Sequence, residues 1–165
     1  MNSICVYCGS SVGSREDYAQ AAAEVGHLLA EQGVRIVYGA GNIGLMGVLA
    51  DAALEAGGEV VGVIPHALVA RELAHNGVSE LRIVDSMHER KALMADLSDA
   101  FLALPGGFGT FEELCEMLTW LQLGIHQKPC GLLNTLGYYD HLIAMFDRAV
   151  DDRFLRPQHR ELLIV

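Results

Sequence analysis

A glycine-rich run at residues 105–113 constrains the fold of this chain more than any other feature. The run reads Pro-Gly-Gly-Phe-Gly-Thr-Phe-Glu-Glu, follows an apolar stretch at 100–104 that predicts a buried strand, and precedes a helical segment. Glycines let the backbone approach an anion closely, and the free N–H groups and dipole of the following helix point at that anion. The pattern predicts a phosphate site at a β–α junction. The alternative is a glycine-rich connector whose acidic residues only stabilise the helix N-terminus.

The run supplies eight candidate substrate-binding residues. Thr110 adds a hydroxyl group to the predicted phosphate site, whereas Glu113 lies one turn into the helix. A carboxylate beside a phosphate is electrostatically unfavourable, so Glu113 is expected to face another part of the ligand. The eight candidates are Gly106, Gly107, Phe108, Gly109, Thr110, Phe111, Glu112 and Glu113.

Strand and helix patterns alternate along the chain. Predicted strands cover residues 4–8, 34–38, 59–64, 81–84, 100–104 and 130–133. Predicted helices cover 15–32, 45–56, 87–97, 110–124 and 138–150, residues 66–80 read as irregular, and the tail 155–165 adds a short helix and a strand. Repeated β–α units favour a Rossmann-like, doubly wound α/β fold with a parallel sheet and helices on both faces. We expect residues 1–165 to form one domain.

Composition excludes several classes of partner. The net charge of -10 argues against nucleic acid and anionic membranes, because both bind cationic surfaces. No segment is long and apolar enough to span a bilayer, and the N-terminus lacks the basic region of a signal peptide, so a cytoplasmic location is expected. Cys5 and Cys8 form a C-x-x-C inside a predicted strand without a second zinc-spaced pair. Buried, reduced thiols are therefore expected, with no metal and no cofactor.

Two further turns are candidate walls of a nucleotide site. Residues 39–44 read Gly-Ala-Gly-Asn-Ile-Gly and fit the dinucleotide fingerprint G-x-G-x-x-G. A nicotinamide site needs an acid at the end of the next strand, but Glu59 lies at the start of that strand. Gly41 therefore belongs either to a tight β–α connection or to a backbone wall. Ser10 similarly lies either in a second wall or in a turn that caps a helix.

A basic pair interrupts this acidic chain. Lys91 is one of only two lysines, and it follows Arg90 directly. On a helix, Met87, Arg90 and Met94 share one face, so a cation between two thioethers could line a pocket for a flat base. The alternative is an amphipathic helix with its basic residues in solvent. Spacing alone favours that alternative.

Three motifs, in order, resemble the LOG (Lonely Guy) family of cytokinin-activating phosphoribohydrolases. They lie at residues 38–47, 87–91 and 105–113, and further similarity covers 8–11, 119–126 and 128–129. The resemblance spans nearly the whole chain and reverses the preference for a solvent-exposed basic pair. Ala40 departs from the family's usual glycine. Many relatives are labelled lysine decarboxylases, but neither lysine of this chain lies in a pyridoxal-phosphate setting.

The resemblance implies hydrolysis of the N-glycosidic bond of a nucleoside 5′-monophosphate, which gives a free base and ribose 5-phosphate. The family favours N6-modified adenosine monophosphates, and some members accept AMP. By motif position, Arg90 and Glu113 would form the catalytic pair, while Gly107, Gly109 and Thr110 would hold the phosphate. No cofactor or metal is implied.

Elementary chemistry agrees with these implied roles. Cleavage of the C1′–N9 bond builds positive charge on the ribose, which the Glu113 carboxylate could stabilise while it orients water. The Arg90 guanidinium stays charged, so we expect it to position substrate and stabilise developing charge rather than donate a proton. The resemblance further implies that Lys91, Glu72 and Thr119 complete the substrate site.

Two questions remain open in the sequence. The helix at 110–124 is apolar on more than one face, which fits either an internal helix or a helix that also contacts a partner; the resemblance implies a homodimer. A second functional hypothesis is a non-catalytic nucleotide-binding module, similar to the molybdenum-cofactor carriers and DNA-processing proteins. Retention of both Arg90 and Glu113 favours the enzyme.

Overall fold

A seven-stranded parallel sheet forms the centre of the molecule. The structure, a computed structural model, describes residues 1–69 and 74–165. Its strands are β1 (Ser3–Tyr7), β2 (Arg35–Tyr38), β3 (Val60–Pro65), β4 (Glu80–Val84), β5 (Ala100–Ala103), β6 (Cys130–Leu132) and β7 (Leu163–Ile164). They lie in the order β4-β3-β2-β1-β5-β6-β7. This arrangement confirms the predicted parallel α/β sheet.

Helices cover both faces of the sheet. They are α1 (Glu16–Glu31), α2 (Gly44–Glu55), α3 (His66–Val69), α4 (Met87–Asp96), α5 (Phe108–Gln122), α6 (Asp140–Asp151) and α7 (Pro157–Arg160). Within the described residues, each helix is too short or too polar to cross a lipid bilayer.

Alternating side chains of the strands build two cores. Val6 of β1 packs on one face with Ala22 of α1 and Leu49 of α2. Tyr7, the next residue, packs on the opposite face with Met94 of α4. The parallel strands are thus apolar on both faces, as the doubly wound fold requires.

The predicted elements recur with local differences, among them that α6 begins at Asp140, two residues after the predicted start. Residues 66–80, predicted to be irregular, contain α3 and an antiparallel bridge between Gly41 and Ala74. Helix α5 begins at Phe108, two residues before the predicted start, because Gly107 adopts the extended N-cap conformation (φ -99°, ψ -153°). The tail supplies a short helix and a final strand, as predicted.

The chain changes direction across the sheet next to β1. Strands β2 to β4 extend to one side of β1, and the chain then returns to place β5 on the other side. The loops after β1 and β5 therefore lead away from each other and leave a crevice at the carboxyl ends of these strands. The Gly9 N–H donates to the Pro105 carbonyl oxygen at 3.0 Å and joins the two loops at the base of this crevice.

Candidate active site

A cleft of about 300 Å³ opens above the carboxyl ends of β1 and β5. It brings together eight of the residues predicted from the sequence: Ser10, Arg90, Gly107, Phe108, Gly109, Thr110, Glu112 and Glu113. The wall also includes Met46 of α2 and Leu68 of α3, which carry no sequence signal for this role. Met87 and Cys8 complete the lining with the backbone of Gly9.

The N-terminus of α5 forms one end of the cleft. A Cβ atom added at Gly107 or Gly109 would meet no other atom within 4 Å, so open space lies directly against this backbone. Thr110 is only 4% exposed, and its hydroxyl lies so close to Gly106 that a Cβ at that glycine would clash with it. A helix N-terminus with accessible backbone and a nearby hydroxyl has the chemistry of an anion site.

Arg90 enters the cleft from α4 and is nearly buried, with 6% exposure. Its Nη2 donates to the carbonyl oxygen of Gly39 at 3.0 Å, and its Nη1 contacts the Met87 sulfur at 3.7 Å. A Cβ at Gly39 would clash with the guanidinium group. The glycine turn after β2 therefore makes room for an arginine rather than for a dinucleotide.

Glu113 lies half-buried on α5 and lines the same cleft. Burial raises the pKa of the Cys8 thiol, and the Glu113 carboxylate raises that pKa further. Burial also raises the pKa of the Cys5 thiol, on which the charges of Glu113 and Arg90 act in opposite directions. Both charges thus lie near the end of β1. At neutral pH Cys8 is a neutral thiol and a poor nucleophile.

Lys91 joins α4 to α5 through two ion pairs. Its Nζ donates to Glu112 Oε1 at 2.5 Å and to Glu116 Oε1 at 3.0 Å. Burial acts to lower the pKa of Lys91, but the two carboxylates outweigh it and the pKa is raised. Lys91 is itself buried and reaches the cleft only through Glu112, which lines it.

Three of the predicted site residues support the cleft from behind. Met94 is fully buried in the core on the α4 side of the sheet. Gly41 packs against Met46, where a Cβ would clash, and pairs with Ala74. Phe111 packs edge-on against Tyr139, with ring centroids 6.1 Å apart.

Two more predicted residues lie elsewhere. Thr119 is exposed on α5, and its Oγ1 donates to the Cys115 carbonyl oxygen at 2.7 Å. It lines a separate apolar groove beside α6. Glu72 lies outside the described residues.

Comparison with known proteins identifies the family. A family model described as "Possible lysine decarboxylase" matches residues 46–165. A probable cytokinin riboside 5′-monophosphate phosphoribohydrolase of Oryza sativa subsp. japonica is 55% identical over 161 residues, covering 98% of this chain and 71% of the relative. The chain belongs to the LOG family. A cytokinin riboside 5′-monophosphate phosphoribohydrolase of Arabidopsis thaliana is 51% identical, covering 98% of this chain and 75% of the relative.

The fold extends beyond the LOG family. A solved structure of the molybdenum cofactor carrier protein from Chlamydomonas reinhardtii superposes with a TM-score of 0.70 and 24% sequence identity. The match covers 89% of this chain and 85% of the carrier. At this identity the likeness shows a shared fold, which is the predicted Rossmann-like architecture.

The ion pairs of Lys91 generate a prediction about stability. Lys91→Met would leave the Glu112 and Glu116 carboxylates close together without their cation. We expect the free energy of unfolding in urea to fall by about 2 kcal/mol. Lys128→Met is the matched control, because Lys128 Nζ donates to the Ala95 carbonyl oxygen and has no carboxylate ion pair among the described residues; we expect a loss of about 1 kcal/mol or less. Equal losses for the two variants would contradict the bridging role of Lys91.

Proposed function

We propose that this chain, acting as one domain over residues 1–165, hydrolyses the N-glycosidic bond of cytokinin-type, N6-modified adenosine 5′-monophosphates and of AMP. The names and high identity of the curated relatives support this activity. The observation that carries it is the placement of Arg90 and Glu113 in one cleft, beside the open N-terminus of α5. The products are the free base and ribose 5-phosphate.

The 5′-phosphate is bound at the start of α5. The backbone at Gly107 and Gly109 is accessible, the helix dipole favours negative charge there, and Thr110 offers a hydroxyl donor. This binding holds the ribose in a fixed place, so that part of the entropy cost of reaction is met on binding. A nucleoside without the phosphate lacks this anchor.

Glu113 acts on the ribose. It lies one helical turn after the phosphate-binding residues, a separation that suits the distance from the 5′-phosphate to the sugar ring. As the C1′–N9 bond breaks, positive charge develops on the ribose, and the carboxylate stabilises that charge. Glu113 also orients the water whose hydroxyl group is transferred to C1′, while a proton goes to the departing base.

Arg90 lines the same cleft and acts on the leaving base. Its bond to the Gly39 carbonyl and its contact with Met87 fix the guanidinium group in one place. A fixed cation stabilises negative charge that develops on the leaving base, because the cation is already in place and does not have to move during the reaction. Met46, Met87 and Leu68 supply apolar surface for a flat base. Lys91 positions Glu112 at the edge of this site.

A second candidate is the non-catalytic nucleotide-binding module, because a molybdenum cofactor carrier protein has the same fold. A binding module needs the phosphate site but not the opposed charges of Arg90 and Glu113. Tight AMP binding without release of adenine would support this candidate over the enzyme.

We propose that the chain acts in the cytoplasm as a homodimer. The apolar groove beside α6 supports the dimer. Leu118, Phe146 and Phe154 line the groove, and Phe154 is 89% exposed. Met145 and Leu123, each adjacent in sequence to a groove residue, are also mostly exposed. Large apolar patches on soluble proteins mark association surfaces. Thr119 lies in this groove, so a partner would cover it.

Glu113→Gln tests the catalytic carboxylate. The change keeps the size of the side chain and removes its charge, so we expect kcat for adenine release from AMP to fall at least about 100-fold. The dissociation constant for AMP, measured by calorimetry, should change less than about threefold. Glu112→Gln is the matched control one residue earlier and should lose less than about tenfold in kcat. Near-normal turnover by Glu113→Gln would remove Glu113 from catalysis.

Thr110→Val tests the phosphate site. The valine has the same shape but cannot donate a hydrogen bond, so we expect KM for AMP to rise about tenfold with a smaller change in kcat. Thr110→Ser keeps the hydroxyl and should stay within about threefold of the wild type. An unchanged KM in the valine variant would argue against phosphate binding at the start of α5.

Phe154→Ser tests the association surface. We expect the wild type to sediment at twice the chain mass of 17.8 kDa, and the variant to shift towards the monomer because the interface loses an exposed aromatic side chain. Leu28→Ser is the control, since Leu28 is 56% exposed on α1 at the opposite face of the sheet. A wild-type protein that is monomeric at micromolar concentration would contradict the dimer.

A further inference from the structure

The turn between β5 and α5 is held by hydrogen bonds to its carbonyl groups. The Leu104 carbonyl oxygen accepts from the Tyr139 hydroxyl at 2.6 Å. The Pro105 carbonyl oxygen accepts from the Gly9 N–H at 3.0 Å. The first two carbonyls of the turn therefore have fixed directions before the glycine pair begins.

The next carbonyl belongs to the peptide group between two glycines. Gly106 and Gly107 flank it, and two adjacent glycines allow a peptide group to rotate at little steric cost. The Tyr138 hydroxyl donates to the Gly106 carbonyl oxygen at 2.5 Å. This bond, from outside the turn, fixes the orientation that the glycines leave free.

The direction of this carbonyl determines the direction of an N–H group in the cleft. In a trans peptide group the C=O and the following N–H point in opposite directions. Because the Gly106 carbonyl points to Tyr138, the Gly107 N–H points to the other side of the turn, where Gly107 lines the substrate cleft. We propose that Tyr138 is a positioning residue that orients the Gly107 N–H towards the substrate phosphate. This inference rests on the proposed function.

Tyr138 is itself held in place. Its ring packs edge-on against Tyr18 and Tyr139, with centroids 5.7 Å and 5.1 Å away. Asn134 accepts from the Tyr139 N–H at 2.7 Å and so fixes the end of the short turn that carries both tyrosines. Gly137, just before Tyr138, has a positive φ of 73°, which turns the chain towards the glycine pair. These contacts hold the Tyr138 hydroxyl beside the Gly106 carbonyl oxygen.

Tyr138→Phe removes only the hydroxyl and keeps the aromatic packing. We expect the dissociation constants of AMP and ribose 5-phosphate, measured by calorimetry, to rise about tenfold. The dissociation constant of adenosine should stay within about twofold, because adenosine carries no phosphate. In the ¹⁵N spectrum, the Gly107 amide should shift on addition of ribose 5-phosphate to the wild type and shift less in the variant.

Tyr18→Phe is the matched control. Tyr18 packs against the same ring from α1, and we expect its variant to bind all three ligands as the wild type does. An unchanged ratio of AMP to adenosine affinity in Tyr138→Phe would overturn the proposal, whether neither affinity falls or both fall equally. The binding measurement needs no turnover, so it tests Tyr138 even if the protein releases no base. Absence of base release would refute the proposed function but would leave the role of Tyr138 in phosphate binding unaffected.

Discussion

The hydrogen bond from Gly9 to Pro105 joins the two loops on which the whole site depends. Parallel strands β1 and β5 are neighbours, but the chain leaves them in different directions, and this divergence creates the crevice. A Cβ at Gly106 would lie 2.9 Å from the Gly9 nitrogen, so the loops approach this closely because residue 106 is glycine. The start of α5, the Ser10 loop and Arg90 of α4 all line the cleft above this junction.

Two positively charged side chains lie at the cleft although the chain as a whole is acidic. The chain carries a net charge of -10, yet its cleft is bordered by Arg90 and Lys91, both nearly buried. Arg90 is directed inward by a backbone carbonyl, whereas Lys91 is turned aside by two carboxylates. Adjacent basic residues on one helix therefore have different surroundings: Arg90 lines the cleft, and Lys91 joins α4 to α5.

Much of this arrangement could be predicted from the sequence because the signals are local. Consecutive residues carry the alternation of strands and helices and the glycine run at 105–113, so the fold and the position of the candidate anion site can be predicted from them. Helical spacing also placed Met87, Arg90 and Met94 on one face, but it carries no information about depth. Met94 therefore lies under the cleft in the core, while Arg90 and Met87 line it.

The remaining features depend on contacts between residues far apart in the chain. The hydrogen bond from Arg90 to Gly39 joins residues 51 positions apart in the chain. The bond from Lys91 to Glu112 spans 21 positions, and the bond from Tyr138 to Gly106 spans 32. No spacing rule connects such positions. The sequence pattern predicted a helix that begins at Tyr138. In the structure Tyr138 lies just before α6, and its hydroxyl contacts the glycine turn.

The most direct test of the central claim is chromatographic analysis of products from three substrates. The purified protein would be incubated with isopentenyladenosine 5′-monophosphate, AMP and isopentenyladenosine, which differ in the base substituent and in the phosphate. A site anchored by the phosphate at α5 predicts release of free base from the two monophosphates and none from the nucleoside. Equal release from the nucleoside would contradict the phosphate anchor, and no release from any of the three by folded, AMP-binding protein would contradict the enzyme.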